Sequence, residues 1–541
     1  MILFLFSLSN VQSQTTQDEA LKSMRKLLQP VASKGRPFPA IPGPRLHDKV
    51  CIVGAGPAGV HLGLKLKKLG HKNIQIFERS NRVGGKSFDI KYRGHEQPLG
   101  TIFFEANYFA NLVPLATEYG AGEYVEIPQY NVWATNNAND TGSKLRNRPY
   151  IMQEVGKLTK SSDPATNAKY LLRTLTQYVQ AHKAMFGDYE GDLMPQPSKD
   201  VMHRIRGTFQ EYLRREDMLA LLPIFKLSHT LQGYGYLDEV SALYGLIWNN
   251  PKLMVSIGLR ALDIERPKDL EHYSVFVLKE GFEIIWKNIV NKEKLKVIYN
   301  VNIVSIRRAR NGTFMSYWKD SILNTEHCNF FVWTPPMSEF LKTLKDINHD
   351  ENDLFNGLKH EIFTSNLVNM RNEIRNGPYN AFIANMDGKV EGGVTAEMNF
   401  METDLRTGKV DFMGFLEMDM ETDKGLLRYD QNNAGLKTSF ILQLGRKLQD
   451  EETLNKILSD HYSQGFNATN VEILTTKSWK YFPRWSPAEI ALGRHWQVFS
   501  MQGRQNIWYA GSSVSFESIR GVMEYNNQLI RSMYPRVELE S

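Results

Sequence analysis

The stretch that decides the fold reads K-V-C-I-V-G-A-G-P-A-G, from Lys49 to Gly59. An apolar run leads directly into the glycines, and residues Val60 to Leu69 then repeat apolar side chains at helical spacing. This order predicts a strand, a tight turn and a helix whose free N–H groups can bind a diphosphate. One glycine makes the turn, one lets backbone approach the phosphate, and one lets the helix pack on the strand. In that order they are Gly54, Gly56 and Gly59, and the helix opens with Pro57 and Ala58.

A second apolar run, Ile74 to Phe77, ends at Glu78, 24 positions after Gly54. An acid at the end of the second strand accepts hydrogen bonds from ribose hydroxyls. The strand, the turn, the helix and the acid together predict a dinucleotide site. The alternative is a glycine turn that only helps the helix pack against the strand.

A second glycine turn follows the acid in the run E-R-S-N-R-V-G-G-K, from Glu78 to Lys86. Gly84 and Gly85 can supply N–H donors, and Lys86 can supply charge to the same diphosphate. We include Arg79 among the cofactor-binding candidates. The run resembles the FAD-binding signature of the flavin amine oxidase superfamily, an acid followed by x-x-x-R-x-G-G-R. This resemblance implies FAD rather than NAD, although a lysine in the last position loses bidentate phosphate geometry.

Composition excludes several classes of protein. The 541 residues are 42% apolar and 23% charged, with a net charge of +6 and no dense basic run, so nothing predicts nucleic-acid binding. No metal-ligand spacing is present, and we expect no metal. After the N-terminus no run reaches the roughly 18 apolar residues of a transmembrane segment. Two cysteines do not make a disulfide framework, so Cys51 and Cys328 are predicted to be buried thiols.

The N-terminus suggests export. Residues Met1 to Leu8 are an apolar run, which predicts a short signal peptide within residues 1–13; the alternative is a frayed or mis-started N-terminus. Residues 14–47 are proline-containing and predict an extended arm. Three N-x-[ST] triplets, at Asn139, Asn311 and Asn467, agree with secretion and glycosylation, although such triplets also arise by chance.

We expect an α/β protein with a Rossmann-like FAD-binding domain of amine-oxidase type and an inserted, mixed sheet and helical substrate domain. The FAD-binding domain is assigned to residues 48–125, 276–345 and 479–541. Residues 126–275, with helical periodicity at Ala168–Phe186 and Val201–Phe225, predict a helical part that covers a substrate cavity. Residues 346–478 predict the sheet under the substrate.

The superfamily resemblance implies further cofactor contacts. It places Gly100, with Thr101 beside it, against the flavin ring, and Ile303 beside the adenine. The strand ending in Ala510-Gly511-Ser512 matches the superfamily's Ala-Gly-Glu or Ala-Gly-Asp, so the usual acid is lost and Ser512 takes its place.

A last helix is predicted to open at Gly521 and Val522. Its N–H donors would point at the flavin N1/O2 edge, where negative charge collects on reduction. The last two hundred residues contain no cysteine, which excludes the cysteinyl-flavin link of monoamine oxidases, so FAD is expected to bind non-covalently.

Four stretches look like the bacterial polyunsaturated fatty acid double-bond isomerases, which are FAD proteins of amine-oxidase fold. They are G-Y-G-Y at Gly233–Tyr236, N-V-N-I at Asn300–Ile303, Y-F-P at Tyr481–Pro483, and M-Q-G-R-Q-N-I-W-Y-A-G at Met501–Gly511. The aromatic residues of these and neighbouring stretches are candidates to line a substrate pocket, with core packing as the alternative. The candidates are Tyr234, Tyr236, Tyr481 and Trp485.

Three functions remain open from the sequence. The first is an FAD oxidoreductase acting on an apolar small molecule, with isomerisation of a polyunsaturated fatty acid as the specific form. The second is an amine or amino-acid oxidase that passes electrons to O₂ and produces peroxide. The third is a secreted flavin-binding protein with little turnover, suggested by the missing acid after Gly511. Hydride transfer to flavin N5 needs no dedicated acid–base residue, so no catalytic side chain is assigned.

Overall fold

The structure is a computed structural model, and most of the chain can be described in it. The described residues are 22, 25–26, 28–92, 95–102, 104–105, 111–126, 131–134, 147–189, 193–262, 275–278, 280–371, 380–384, 397–404, 436–445, 450–466 and 469–536. The predicted signal peptide, the loop predicted around Asn136–Gly142, and the triplet asparagines Asn139 and Asn467 lie outside these residues.

A five-stranded parallel sheet forms the centre of the nucleotide-binding half, in the order β19-β13-β1-β2-β9. Every strand is short, and β1 and β13 are apolar and buried throughout, as expected for the centre of a parallel sheet covered on both faces. The strands are β1 (Val50–Val53), β2 (Ile74–Phe77), β9 (Lys296–Ile298), β13 (Phe330–Trp333) and β19 (Ile507–Tyr509). The predicted strand–turn–helix is present, with helix α1 at Pro57–Lys68.

The two cysteines correct the sequence-based prediction. Cys51 and Cys328 form a disulfide, with Cα atoms 5.7 Å apart across 277 residues of sequence. Both are fully buried as predicted, but they are not thiols. The pairing arises because Cys51 lies in β1 and Cys328 ends a strand just before β13, the neighbour of β1 in the sheet. Sequence spacing gives no sign of this adjacency.

The second half is built on a six-stranded sheet in the order β18-β14-β17-β16-β15-β7. Its strands are β7 (Asn131–Ala134), β14 (Lys359–Arg371), β15 (Asn380–Ala384), β16 (Glu397–Asp404), β17 (Leu436–Gly445) and β18 (Thr469–Arg484). The predicted boundary at 478/479 therefore falls inside β18. Strand β7 also comes from the part predicted to be helical, and it pairs in parallel with β15.

Helices cover this sheet between residues 147 and 261. They are α3 (Asn147–Thr159), α4 (Pro164–Phe186), α5 (Lys199–Arg204), α6 (Phe209–Arg215), α7 (Leu222–Ser228), α8 (Ala242–Trp248) and α9 (Pro251–Ala261). The helix expected over Ala168–Phe186 is confirmed, but the stretch Val201–Phe225 is broken into separate helices. Gly207 adopts a left-handed φ of 85°, and Thr208 then starts α6 with a capping box to Glu211.

The remaining strands form three smaller sheets, and the remaining helices lie between the strands along the chain or after the last of them. These strands are β3 (Asp89–Tyr92), β4 (His95–Pro98), β5 (Phe104–Glu105), β6 (Tyr124–Glu126), β8 (Val275–Leu278), β10 (Asn302–Ala309), β11 (Gly312–Lys319) and β12 (Ile322–Cys328). These helices are α2 (Leu112–Glu118), α10 (Glu283–Lys292), α11 (Met337–Thr343), α12 (His349–Asn356), α13 (Glu451–Phe466), α14 (Pro487–Ala491), α15 (Arg494–Ser500) and α16 (Ile519–Met533). Among the described residues, no helix has the length and hydropathy needed to cross a bilayer.

Candidate cofactor and substrate site

The first glycine turn lies at the carboxyl end of β1, and two of its glycines, Gly54 and Gly59, cannot be replaced without strain. Gly54 has a φ of 96°, and its N–H donates to the Phe77 carbonyl at 2.8 Å. A Cβ at Gly59 would collide with the carbonyl oxygen of Gly54. Helix α1 begins at Pro57 with no side-chain cap on its N-terminus. The turn therefore leaves main-chain N–H groups and a positive helix end available for an anion.

The second glycine turn lies directly against the first. The N–H of Gly84 donates to the Ala55 carbonyl at 2.9 Å. Gly85 has a φ of 55°, and a Cβ there would lie 2.9 Å from the Cα of Gly56. The two turns predicted to share one diphosphate are thus in backbone contact with each other.

Arg82, which the sequence analysis did not assign, holds the second turn in shape. Its guanidinium donates to the carbonyls of Val83 and Ser87, both at 3.3 Å, and also to the Gly85 carbonyl. It lies 4.3 Å from the ring centre of Phe88. This arginine is the R of the x-x-x-R-x-G-G signature, so the motif itself could have identified it.

Glu78 occupies the position predicted for the ribose acid. One carboxylate oxygen accepts from the Ala55 N–H at 2.7 Å, and the other accepts from the N–H of Ser80 at 2.8 Å. The carboxylate is therefore fixed beside the first glycine turn. Arg79 is exposed to solvent. Ile303 of β10 lies opposite Tyr317 of β11, and the ring centre of Tyr317 is 5.5 Å from that of Phe77. Ile303 therefore lies on the side of the small sheet that faces Phe77 and the neighbouring Glu78.

Lys86 has a different partner from the one expected. Its Nζ lies 2.6 Å from Glu517 Oε2 and 5.2 Å from the ring centre of Tyr481. The same glutamate oxygen accepts from the Phe482 N–H at 3.1 Å. The ion pair therefore joins the second glycine turn, strand β18 and the loop before α16. No sequence signal marked Glu517.

Gly100 and Thr101 lie against the second turn. A Cβ at Gly100 would collide with the carbonyl oxygen of Lys86, which explains the glycine by main-chain packing alone. The Thr101 N–H donates to that same carbonyl at 3.3 Å, and its hydroxyl lies 3.3 Å from that of Ser87. The structure thus gives Gly100 a steric role beside the turn, while the contact with the flavin ring stays a prediction.

The C-terminal segment returns to the same edge of the sheet. Gly511 has a φ of 87°, and a Cβ there would collide with the carbonyl oxygen of Thr334. The Thr334 hydroxyl in turn donates a hydrogen bond to the Val53 carbonyl at 2.6 Å. The carboxyl ends of β19, β13 and β1 therefore meet at one place, which is where open α/β sheets bind ligands. Ser512 follows, partly exposed.

The last helix differs from its prediction. It begins at Ile519, and the hydroxyl of its N-cap Ser518 accepts from the Gly521 N–H at 2.7 Å, while the Val522 N–H donates to the Ser518 carbonyl. The donors assigned to the flavin edge are thus already bonded within the helix. Asn526 donates to the Ala58 carbonyl at 2.8 Å, so α16 is fastened to the start of α1.

Aromatic rings form a cluster beside the Lys86–Glu517 pair. Tyr481 stacks on Phe363, with the ring centres 4.9 Å apart, and on Tyr234, with the ring centres 5.9 Å apart. The ring centres of Tyr234 and Phe516 are 5.0 Å apart. The Tyr234 hydroxyl donates to the Glu517 carbonyl at 3.0 Å. Burial, followed by the charge of Glu517, raises the pKa of Tyr481 far above its usual value, so this phenol stays neutral. We call Tyr234, Phe363, Tyr481, Phe482 and Phe516 the aromatic cluster.

The other pocket candidates separate from this cluster. Trp485 is 1% exposed, and its indole N–H donates to the Leu354 carbonyl at 2.9 Å, which makes it a core residue. Tyr236 is also buried. Arg484 and Glu361 form a buried ion pair nearby, with the Arg484 guanidinium 5.4 Å from the Phe482 ring centre. The ring centres of His229 and Tyr234 are 5.6 Å apart. Burial lowers the pKa of His229 to about 3, so its imidazole is neutral.

Comparisons with known proteins agree with this architecture. A family model described as an NAD(P)-binding Rossmann-like domain matches residues 52–119. The chain is similar to the polyenoic fatty acid isomerase of Ptilota filicina, with 20% identity over 511 residues that cover 90% of this chain and 95% of the relative.

Solved structures show the fold. A fatty acid isomerase from P. acnes that produces CLA superposes with a TM-score of 0.64 at 19% identity, covering 91% of this chain and all of that one. A putrescine oxidase superposes with a TM-score of 0.58 at 12% identity, covering 91% and 99% of the two chains. The chain has the fold of these enzymes. The predicted fold class and the resemblance to the fatty acid isomerases are confirmed, and an FAD-binding enzyme is supported.

Proposed function

We propose that the protein is an FAD-dependent oxidoreductase that isomerises double bonds of a polyunsaturated fatty acid by moving a hydride from one carbon to another through flavin N5. The observation that carries the proposal is the aromatic cluster lying against the second glycine turn through Lys86 and Glu517. The similarity to a polyenoic fatty acid isomerase over nearly the whole chain supports the substrate class.

The residues present fit FAD. The two contacting glycine turns and the uncapped start of α1 would hold its diphosphate, Glu78 its ribose, and Ile303 the side of its adenine. When bound, FAD supplies a hydride acceptor at N5 that can return the hydride to a different carbon. The glycine turns and Glu78 only bind and orient it.

The remaining residues act on the substrate. Tyr481, which is only partly buried, offers a flat apolar ring face that would orient an unsaturated chain, and the other, buried rings of the aromatic cluster support it. Lys86 borders the cluster and can bind a carboxylate in exchange for Glu517. A positioned substrate then needs no proton transfer from the protein, which agrees with a neutral His229 and a neutral Tyr481.

A second candidate is an amine or amino-acid oxidase that reduces O₂ to peroxide. It is favoured by the Lys86 ammonium group lying 5.2 Å from the ring centre of Tyr481, because a ring face that attracts this cation can also attract a cationic amine. The fold shared with a putrescine oxidase supports it too. The third candidate, a flavin-binding protein with little turnover, is favoured by Ser512 in place of the usual acid.

The absorption spectrum of the purified protein tests these candidates. We expect flavin bands that persist under anaerobic conditions while an added polyunsaturated fatty acid develops a conjugated-diene band. Bleaching by an amine, with peroxide on re-aeration, identifies the oxidase instead. Flavin bands with no response to either substrate favour the protein with little turnover, and the absence of flavin overturns the cofactor assignment.

We also propose that the protein is exported through an oxidising compartment. The Cys51–Cys328 disulfide supports this, because structural disulfides are rare in reducing compartments. Asn311 supports it too, since it is exposed in the turn between β10 and β11. Expression of the full chain in secreting eukaryotic cells should give protein in the medium whose mass falls on glycosidase treatment, with a smaller fall for Asn311→Gln. Retention of all the protein inside the cells contradicts the proposal.

A further inference from the structure

The antiparallel sheet β10-β11-β12 has one face on the body of the protein and one in solvent. Met315 and Tyr317 of β11 point inward and are buried, and Tyr317 contacts Phe77 of the central sheet. The alternate residues Phe314 and Trp318 are therefore on the opposite face, where they are 44% and 43% exposed.

The exposed face continues onto β12. Leu323 lies directly opposite Trp318, and His327 lies opposite Phe314 with the rings 4.8 Å apart. Leu323 is 52% exposed, and Ile322 beside it is 64% exposed. We call Phe314, Trp318, Ile322 and Leu323 the hairpin patch.

The end of the hairpin carries apolar groups on both faces. The turn from β11 to β12 is Asp320–Ser321, with φ values of 49° and 61°, the two-residue turn that suits a tight hairpin. Ile322 and Leu323 follow it and point to opposite faces of the strand. The rest of the protein cannot cover both Ile322 and Leu323, so the end of the hairpin projects into solvent.

Charge around the patch is positive. The two acids on the hairpin are each paired with a lysine, Asp320 with Lys319 at 2.5 Å and Glu326 with Lys49. Arg307 lies opposite Phe314 in the sheet, and Arg310 lies in the next turn. The ion pairs of β10 among the described residues belong to Arg308, which binds Asp346 and Glu351. Arg307 is exposed on the same face as Phe314, so its charge is available to an anionic surface.

We propose that the hairpin patch docks on an anionic phospholipid bilayer, with Trp318, Ile322 and Leu323 among the headgroups and Arg307, on the same face as Phe314 and Trp318, facing lipid phosphates. Tryptophan and aliphatic side chains beside arginine are the composition of interfacial membrane sites. The four side chains, each about half exposed, offer roughly 400 Å², against the ~800 Å² per partner that a stable dimer buries. A second copy would also bring like charges together.

Co-sedimentation of the purified full chain with vesicles tests the proposal, whatever reaction the protein catalyses. Wild-type protein should pellet with vesicles of phosphatidylcholine containing phosphatidylserine. The double variant Trp318→Ser/Leu323→Ser should partition at least about tenfold more weakly, because two apolar side chains leave the interface. The control Leu492→Ser, at a residue 72% exposed on another part of the surface, should partition like wild type.

The charge is tested separately. Arg307→Gln should weaken binding to the anionic vesicles and leave the residual binding to pure phosphatidylcholine unchanged. Unaltered thermal unfolding shows that the variants fold. The proposal is overturned if wild type does not pellet, if the double apolar variant pellets equally, or if that variant instead lowers the sedimenting mass in solution, which would identify an interface between copies.

Discussion

The two halves of the site are built by different rules. In the nucleotide-binding half, Gly54 and Gly59 lie within six residues, and the turn itself requires both, Gly54 by its left-handed φ and Gly59 by the Gly54 carbonyl beside it. In the substrate half, the aromatic cluster joins Tyr234, Phe363, Tyr481 and Phe516, which are far apart in sequence. The cofactor half is therefore specified locally and tolerates little change. The substrate half is specified by the fold and can change its chemistry one side chain at a time.

The largest effect is expected in the local half, from Gly59→Ala. The new Cβ would meet the Gly54 carbonyl, so the first turn cannot close, and we expect loss of flavin and a loss of stability of about 3 kcal/mol or more. Gly63→Ala is the matched control, because a Cβ at Gly63 of the same helix has its nearest neighbour at 3.4 Å. Flavin absorbance per chain and thermal unfolding measure both. Equal flavin content in the two variants would break the comparison.

A buried acid beside the second turn should give this half a pH-dependent stability. Burial raises the pKa of Asp89 from 3.8 to about 7, and the nearby charges of Glu283 and Glu96 act in the same direction. The hydrogen bond from the Glu283 N–H and the charge of Lys287 act against this rise but are weaker. The folded protein therefore keeps a proton that the unfolded chain releases. Stability from this group is present below about pH 4, falls as pH rises towards 7, and is flat above.

Asp89→Asn should remove that slope. About three pH units, each worth about 1.4 kcal/mol, set an upper bound of roughly 4 kcal/mol on the gain in unfolding free energy above pH 7. Denaturant unfolding of the two proteins at several pH values measures it. Parallel pH profiles for wild type and variant would show that Asp89 does not titrate in this range.

A smaller effect is expected from Glu78→Gln, which keeps the shape but removes the charge that accepts from the Ala55 N–H. Hydrogen bonds to charged acceptors contribute about 1.5–3 kcal/mol, so FAD affinity should fall about tenfold or more. Glu118→Gln, at an exposed partner of Lys68, is the control and should leave affinity unchanged. Titration of the apoproteins with FAD measures these affinities. Equal affinities of wild type and Glu78→Gln would show that Glu78 does not contact the cofactor.

The smallest effect is expected at the Lys86–Glu517 ion pair, which lies between the second glycine turn and the aromatic cluster. A double-mutant cycle with Lys86→Met and Glu517→Gln should give a coupling free energy of roughly 1 kcal/mol, since the pair is partly buried. Stability should change modestly, whereas the KM for a fatty acid should rise more in Lys86→Met than in Glu517→Gln, because only the first removes the carboxylate partner. Additive single effects would show that the halves are not coupled here.

The sequence predicted the local half closely. Residues Lys49–Gly59 and Glu78 were placed at the correct turn and strand end because their roles depend on chain neighbours. The Cys51–Cys328 disulfide, the Lys86–Glu517 pair and the capped Gly521 were not foreseen. Each depends on strand order, on a contact between distant segments or on the exact start of a helix, none of which periodicity reports. Trp485 shows the same limit, because an aromatic residue at a cavity and one in the core look alike in sequence.

The strand order of the central sheet has a consequence for synthesis on the ribosome. Strand β1, at residues 50–53, pairs with β13, at residues 330–333, and the edge strand β19 spans residues 507–509. Strand β1 can pair early with β2, at residues 74–77, but it emerges long before β13, so its other hydrogen-bonding edge stays unpaired until β13 has been made. Co-translational folding of this domain cannot finish until nearly the whole chain has been made, so a truncated product should be an aggregation-prone chain for chaperones rather than a smaller working domain.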